Sequence, residues 1–356
     1  MFTLKYKKQC TPLYQAFLYL YFPKKTFNIP PLCYDMAVIM KEGQQRAMQN
    51  LSKFTGYTAL LTYILIVLGA AVRVFDAGMS CPDWPMCYGE AIPFPVDPIH
   101  GYSNFQVFLE WFHRLLAGVV GLLILSMTVW SFKYRKQSKA VVIFSFICLC
   151  ALISQVFLGM VTINYSNLHW TVAIHLGNAM VLFALLIVTR KRISIAASNE
   201  NEKIAISKKS KVTLWILLIS TFLTMIIGAM VSTSFSGGVC GGLPFCNGEI
   251  MPTGDLGAML HMKHRFMALF VILLTLLFVF FSRKEHATYQ KTAKGLFIIV
   301  LGQVIIGITV LYSFAHYAWG YQALSIFHLA WGTLIIMALS GALAKIYLGT
   351  GGTFHK

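Results

Sequence analysis

Acidic side chains are scarce in this chain: 12 Asp and Glu stand against 29 Lys and Arg over 356 residues, for a formal net charge of +17. Charge of either sign makes up only 12% of the residues, whereas 57% are hydrophobic. So few charges cannot solvate so much apolar surface around one soluble core, which excludes an ordinary water-soluble domain. A glycine-rich dinucleotide fingerprint is also missing, so the sequence carries no sign of a flavin or nicotinamide site. Within 1–54 there is no sustained apolar run ending in a small-residue cleavage site, so this segment reads poorly as a secretory signal.

What the chain has is long apolar runs. Eight are long enough to cross a bilayer core of about 30 Å as helices, near 55–75, 104–131, 140–163, 169–190, 212–233, 259–282, 295–314 and 321–346. Lys and Arg concentrate in 132–139, 190–211 and 283–294 and are absent from 76–103, 164–168, 234–258 and 315–320. By the positive-inside rule both termini are then cytoplasmic. The net positive charge is mainly this topology signal, spread over short loops, and a nucleic-acid partner has little support.

The chain also repeats itself. GAAVRVFDAGMSCPDWPMCYGE at 69–90 aligns without a gap with GAMVSTSFSGGVCGGLPFCNGE at 228–249. Each copy is followed by a span with His-Arg (His113-Arg114, His264-Arg265), one with Gln-Val-x-x-Gly (Gln155 to Gly159, Gln303 to Gly307), and one with a single histidine, His175 or His328. The expected fold is all-α: two tandem four-helix bundles, related by a pseudo-two-fold along the membrane normal because each half has an even number of spans. The expected divisions are a basic cytoplasmic leader 1–54, an N-terminal half 55–190, a basic linker 191–211, a C-terminal half 212–346 and a cytoplasmic tail 347–356.

Four histidines at similar depth, on four helices running the same way, call for an explanation beyond interhelical hydrogen bonding. Ionisable residues inside a membrane are functional candidates by default. Imidazoles facing each other in pairs suit haem iron, which takes two axial nitrogens and buries its macrocycle between helices. Zinc would want three or four ligands at one point. Arg114 and Arg265 are candidates for propionate contacts, with snorkelling to the interface as the equal alternative.

The halves differ three positions before the first histidine. Glu110 precedes His113 where His261 precedes His264, and residues three apart share a helix face. A carboxylate facing an apolar pocket is costly to bury, which points to chemistry in the N-terminal half and a retained cofactor in the other. Cys81 with Cys87, and Cys240 with Cys246, lie in outer loops where disulfides can form. Cys148 and Cys150 read as packing residues within a span, and Cys10 and Cys33 as reduced thiols of the leader.

The combination of Glu-x-x-His-Arg, His, His-Arg and His on alternate spans, with Cys-x5-Cys in the outer loops, resembles the haem A synthase family over roughly 55–346. The resemblance implies that His113 and His175 bracket the substrate haem O, that His264 and His328 ligate a haem b cofactor, and that Glu110 is the catalytic carboxylate. It implies oxidation of a haem O methyl group to a formyl group through a hydroxymethyl stage, supplying haem A to terminal oxidases. Family members vary in the loop cysteines, so a catalytic need for them does not carry over.

If both imidazoles stay on the substrate iron, oxygen activation there requires one ligand to leave; the alternative withdraws electrons from the macrocycle and lets water attack the methyl carbon. Glu110 could then stabilise a cation, accept a proton or trap the carbon as an ester. The expected partners are haem O, the lipid bilayer, a haem O synthase and an external electron acceptor or donor, with homo-oligomerisation left open. The Lys-rich, Arg-poor leader favours a bacterial cytoplasmic membrane over a mitochondrial one, and translation could begin at Met36, Met40 or Met48. Two other classes share part of the pattern: a dihaem electron-transfer cytochrome, which has no need of Glu110, and a membrane thiol oxidoreductase, which leaves the histidines unexplained.

Overall fold

A computed structural model describes residues 31–95, 97, 101–198, 206–314 and 318–348. It contains eight long helices apolar enough to span a membrane: α1 (Pro31–Val74), α2 (Asn104–Ser131), α3 (Lys139–Asn164), α4 (His169–Ser198), α5 (Lys208–Thr233), α6 (Leu256–Ser282), α7 (Ala287–Phe314) and α8 (Ala318–Leu348). The protein is a multi-pass membrane protein of all-helical class, and among the described residues there is no strand beyond two isolated bridges.

Helix starts follow local chemistry. Ser103 and Gln106 form a reciprocal capping box at α2, with Gln106 donating its amide to the Ser103 hydroxyl and returning a side-chain acceptor to the Ser103 amide. Ser207 caps α5 and Asp255 caps α6. Threonine hydroxyls inside the spans donate to the carbonyl four residues earlier, as at Thr62, Thr128 and Thr275, which satisfies these hydroxyls within their own helices.

Within the N-terminal half α1, α2, α3 and α4 pack as a closed ring, and α5 to α8 do the same in the other half. The halves meet through α4 against α8, α4 against α5 and α8 against α1. Exchanging the halves returns the same set of main packed pairs. Two apolar cores fill the ends of the bundles nearest the basic loops: one around Ile124, Met127, Leu186 and Ile193, the other around Leu214, Leu217, Phe278 and Leu339. Packing is therefore tightest on the basic side, and the opposite ends of both bundles are left to the cavity.

One boundary differs from expectation. The leader was expected to run to 54, yet α1 begins at Pro31, and Met48 and Leu51 are buried against the extension of α4 that carries Ile193 and Ala197. Burial of these two side chains continues the helix beyond the bilayer-length run. Residues 1–30, including Cys10, and the tail from 349 lie outside the described residues.

Contacts between the halves cluster at the outer end. Arg73, whose repeat counterpart is Ser232, donates to the carbonyls of Ser232 and Thr233, each at 2.9 Å. Its guanidinium also lies 4.2 Å from the centroid of the Phe235 ring. His169 Nδ1 is 3.0 Å from the Thr233 carbonyl. A cation and an imidazole from one half thus cap the last turn of α5, where unpaired carbonyls concentrate partial negative charge.

A candidate haem cavity with paired histidines

A cavity of about 1390 Å³ opens between the helices toward the outer loops. Its wall includes His113, His175, His264 and His328, together with Glu110 and His261. His113 stands on α2, His175 on α4, His264 on α6 and His328 on α8, so each half contributes one pair.

Each histidine rests against a glycine of the preceding helix. A Cβ placed on Gly69 would lie 3.1 Å from Cε1 of His113, and one on Gly159 would lie 3.2 Å from that of His175. On Gly228 it would lie 2.8 Å from Cε1 of His264, and on Gly307 2.9 Å from that of His328. Carbon atoms in contact sit about 3.5–4.0 Å apart, so any larger residue would push the ring away. These glycines are the ones embedded in the repeated G-A-x-V and Gln-Val-x-x-Gly motifs. The repetition is visible in the sequence, whereas the contact it serves lies between helices.

The C-terminal pair tests directly whether the residues fit a haem. Ring centroids of His264 and His328 are 6.4 Å apart, with the planes at 72°. Two imidazoles on opposite sides of one metal, with bonds of about 2.0 Å and a ring radius of roughly 1.1 Å, have centroids about 6.3 Å apart. His264 Nδ1 lies 3.1 Å from the Thr224 carbonyl, which leaves Nε2 as the ligating nitrogen and supplies the outer hydrogen bond that orients a metal-bound ring. His328 Nδ1 and His113 Nδ1 are buried with no hydrogen-bond partner among the described residues. The spacing of the pair suits two imidazoles bound to one haem iron, with Gln303 Nε2 lying 3.1 Å from the Nε2 that His328 would offer. No group of three or more His, Cys, Asp or Glu converges among the described residues, unlike the donor set of a zinc centre.

Glu110 is 4% exposed. Its Oε2 accepts from the Cys81 amide at 2.8 Å and the Ser80 hydroxyl at 3.1 Å, and its Oε1 lies 2.5 Å from Arg114 Nη2. The sequence suggested a buried acid without partners; the structure gives it three donors, two of them from the cysteine loop. His261, its counterpart, sits 3.2 Å from the Ser236 carbonyl through Nδ1. The two halves thus present a carboxylate and an imidazole at the same place on the cavity wall.

The two arginines are occupied by the outer loops. Arg114 donates to the carbonyls of Cys81, Asp83 and Met86. Arg265 donates to those of Cys240, Gly242 and Phe245 at 3.1, 2.7 and 3.2 Å, and to Pro244. The three loop carbonyls held in common are the same three repeat positions in both halves. The expectation of propionate contacts from Arg114 and Arg265 thus finds both guanidinium groups engaged elsewhere.

The loops themselves are built alike. Disulfides join Cys81 to Cys87 and Cys240 to Cys246, and all four cysteines are buried. Cys87 and Glu90 exchange both backbone hydrogen bonds, as do Cys246 and Glu249. Between them Tyr88 and Gly89, or Asn247 and Gly248, have positive φ, the two-residue turn that gives Cys-x-Gly-Glu its glycine. Trp84 and Pro85 from one loop, and Leu243, Pro244 and Phe245 from the other, face the cavity. Both loops are stapled caps on its outer end. Cys148 is buried in α3 with its sulfur 3.3 Å from the Thr189 hydroxyl, while Cys150 is exposed.

The chain is 28% identical over 275 residues to the heme A synthase of Alkalihalophilus pseudofirmus, covering 74% of this chain and 88% of that one. It is 28% identical over 238 residues to the heme A synthase of an Exiguobacterium strain, covering 67% and 75%. With the heme A synthase of Shouchella clausii the identity is 26% over 275 residues, covering 75% and 88%. The profile of the COX15-CtaA family, described as cytochrome oxidase assembly protein, matches residues 52–340. By that match, extending over all eight spans, the chain belongs to the COX15-CtaA family of cytochrome oxidase assembly proteins.

Proposed function

We propose that the protein is a haem A synthase, an oxidoreductase that converts a methyl group of haem O to a formyl group through a hydroxymethyl stage. The observation that carries this reading is the one buried carboxylate among the described residues: Glu110 lines the cavity one helical turn from His113, and the other half has His261 in its place. A dihaem electron carrier would need four histidines but no such difference. In this reading His113 and His175 bracket haem O, and His264 and His328 hold haem b. When bound there, haem b supplies a one-electron redox centre in the half that lacks the carboxylate.

The chain's own residues then have separate tasks. Glu110 is the group placed to take a proton from an attacking water or to stabilise positive charge developing at the methyl carbon. Arg114, Ser80 and the Cys81 amide hold that carboxylate in one orientation, which keeps reorganisation small when charge develops. Gly69 and Gly159 let the rings of His113 and His175 approach closely. The disulfide loops exclude water from the outer end of the cavity, so the loop cysteines act as staples. The two four-helix halves are proposed to be related by a pseudo-two-fold along the membrane normal, with both termini cytoplasmic in a bacterial inner membrane.

The test is Glu110→Gln. An amide retains the shape and can still accept from Ser80 and the Cys81 amide, but it cannot serve as base or nucleophile. The expected outcome is a folded, haem-loaded protein with haem A formation reduced more than about a hundredfold, corresponding to roughly 3 kcal/mol of transition-state stabilisation. Conversion at near wild-type rate would remove Glu110 from the chemistry.

A further inference from the structure

The two cavity glutamines occupy the same repeat position but have different support. Gln155 Nε2 lies 3.1 Å from Nε2 and 3.3 Å from Nδ1 of His175, and Gln303 Nε2 lies 3.1 Å from Nε2 of His328. In the N-terminal half Asn178 Nδ2 donates to Gln155 Oε1 at 2.7 Å and to the Ala151 carbonyl at 3.1 Å, while Ser154 donates to Asn178 Oδ1 at 3.3 Å. In the other half the residue three after the histidine is Trp331. Its indole N–H donates to the Ile299 carbonyl at 2.8 Å, the repeat equivalent of Ala151, and has no second donor. Gln303 Oε1 is accordingly buried without a hydrogen-bond partner among the described residues.

An iron-ligating nitrogen cannot also accept a hydrogen bond from a glutamine. Each glutamine therefore competes with haem for its histidine, and the competition is effective only where the ligand-free arrangement is fully satisfied. Leaving a buried carbonyl unpaired carries a desolvation penalty, so the Gln303–His328 contact is a poor resting state. The Gln155–His175 contact, closed by Asn178 and Ser154, is a good one.

We propose that Asn178 and Gln155 form a positioning device that holds the Gln155 amide against His175 in competition with haem iron, so that haem there is exchangeable while haem in the C-terminal half is retained. This rests on the reading that the N-terminal half takes the substrate, which must enter and leave at every turnover. Asn178 acts through Gln155 and needs no contact with the porphyrin.

The experiment is an equilibrium titration of the stripped full-length protein in detergent with haemin, followed by its Soret band. Two affinities are expected. Asn178→Leu should tighten the weaker one by about five- to tenfold, the effect of losing a competing hydrogen bond, and leave the tighter one unchanged. Gln155→Leu should do the same, which keeps the test available if one variant fails to fold. An unchanged or weakened affinity at the His175-containing site in both variants overturns the proposal. His175→Ala and His328→Ala identify the sites: loss of the weaker one in His175→Ala supports the assignment of halves. Loss of the tighter one in that variant contradicts that assignment, while the response to Asn178→Leu still decides whether the device exists.

Discussion

Replacing Gly228 by Ala should leave the protein less able to hold haem. The new methyl carbon would lie 2.8 Å from Cε1 and 3.1 Å from Nδ1 of His264. Restoring an ordinary carbon–carbon contact of about 3.5 Å requires the ring to retreat by roughly 0.7 Å, whereas metal–ligand distances tolerate only about 0.2 Å. The same movement stretches the 3.1 Å contact between Nδ1 and the Thr224 carbonyl. Overpacking of this kind costs about 1–3 kcal/mol, a loss of about five- to 150-fold in haem affinity. Gly to Ala inside a helix gains up to about 1 kcal/mol, which offsets only part of that overpacking, so the stripped variant should unfold no higher than wild type. Gly159→Ala, where the Cβ would lie 3.2 Å from His175, should have a smaller effect on its own site. Gly295→Ala, with open space around the Cβ, should leave haem binding unchanged. Haem titration and thermal unfolding of the stripped proteins measure the two effects separately. Wild-type haem affinity in Gly228→Ala would refute the claim that this glycine sets the histidine's position.

Other outcomes follow from the clasps outside the cavity. Arg73→Leu should cost about 2 kcal/mol of thermal stability through loss of two charge-assisted hydrogen bonds to the end of α5, and an unchanged melting temperature would show that the halves do not depend on it. Glu285, in the basic loop before α7, accepts from the Ser207 amide at 3.0 Å and the Ser210 hydroxyl at 2.8 Å. Burial alone would raise its pKa, but the hydrogen bonds from Ser207 and Ser210, with Lys211 nearby, hold the carboxyl below its ordinary value. Because the folded-state value is the lower one, the stabilisation is present above the ordinary carboxylate pKa and is lost as pH falls through the folded value. The melting temperature of wild type should therefore exceed that of Glu285→Gln at pH 7, and the gap should narrow as pH falls below the ordinary carboxylate range. A gap independent of pH would remove Glu285 from this role.

The spans were legible in the sequence because a bilayer imposes both length and composition: α2 and α5 end where their apolar runs end. The start of α1 was not, since Met48 and Leu51 sit among polar residues and their burial depends on how far α4 extends. His113, His175, His264 and His328 could be singled out by their repetition and could be paired by half. The four glycines behind them needed the register between neighbouring helices, which periodicity within one helix does not contain; their only trace was the recurrence of G-A-x-V and Gln-Val-x-x-Gly. Arg114 and Arg265 were harder still, because apart from the Arg114–Glu110 pair their partners are loop carbonyls that carry no side-chain signal. Glu110 stood out by breaking the repeat, yet its two loop donors, Ser80 and the Cys81 amide, became visible only once the loop was folded over it.

The central claim is that the cavity converts one haem while holding another. Pigment extracted from the purified protein, made in cells that supply haem O, tests it most directly. The account predicts a formyl-bearing haem together with b-type haem, and loss of the formyl product but not of haem b in Glu110→Gln. Extraction of b-type haem alone from the active, fully loaded wild-type protein would contradict it and identify an electron-transfer cytochrome instead.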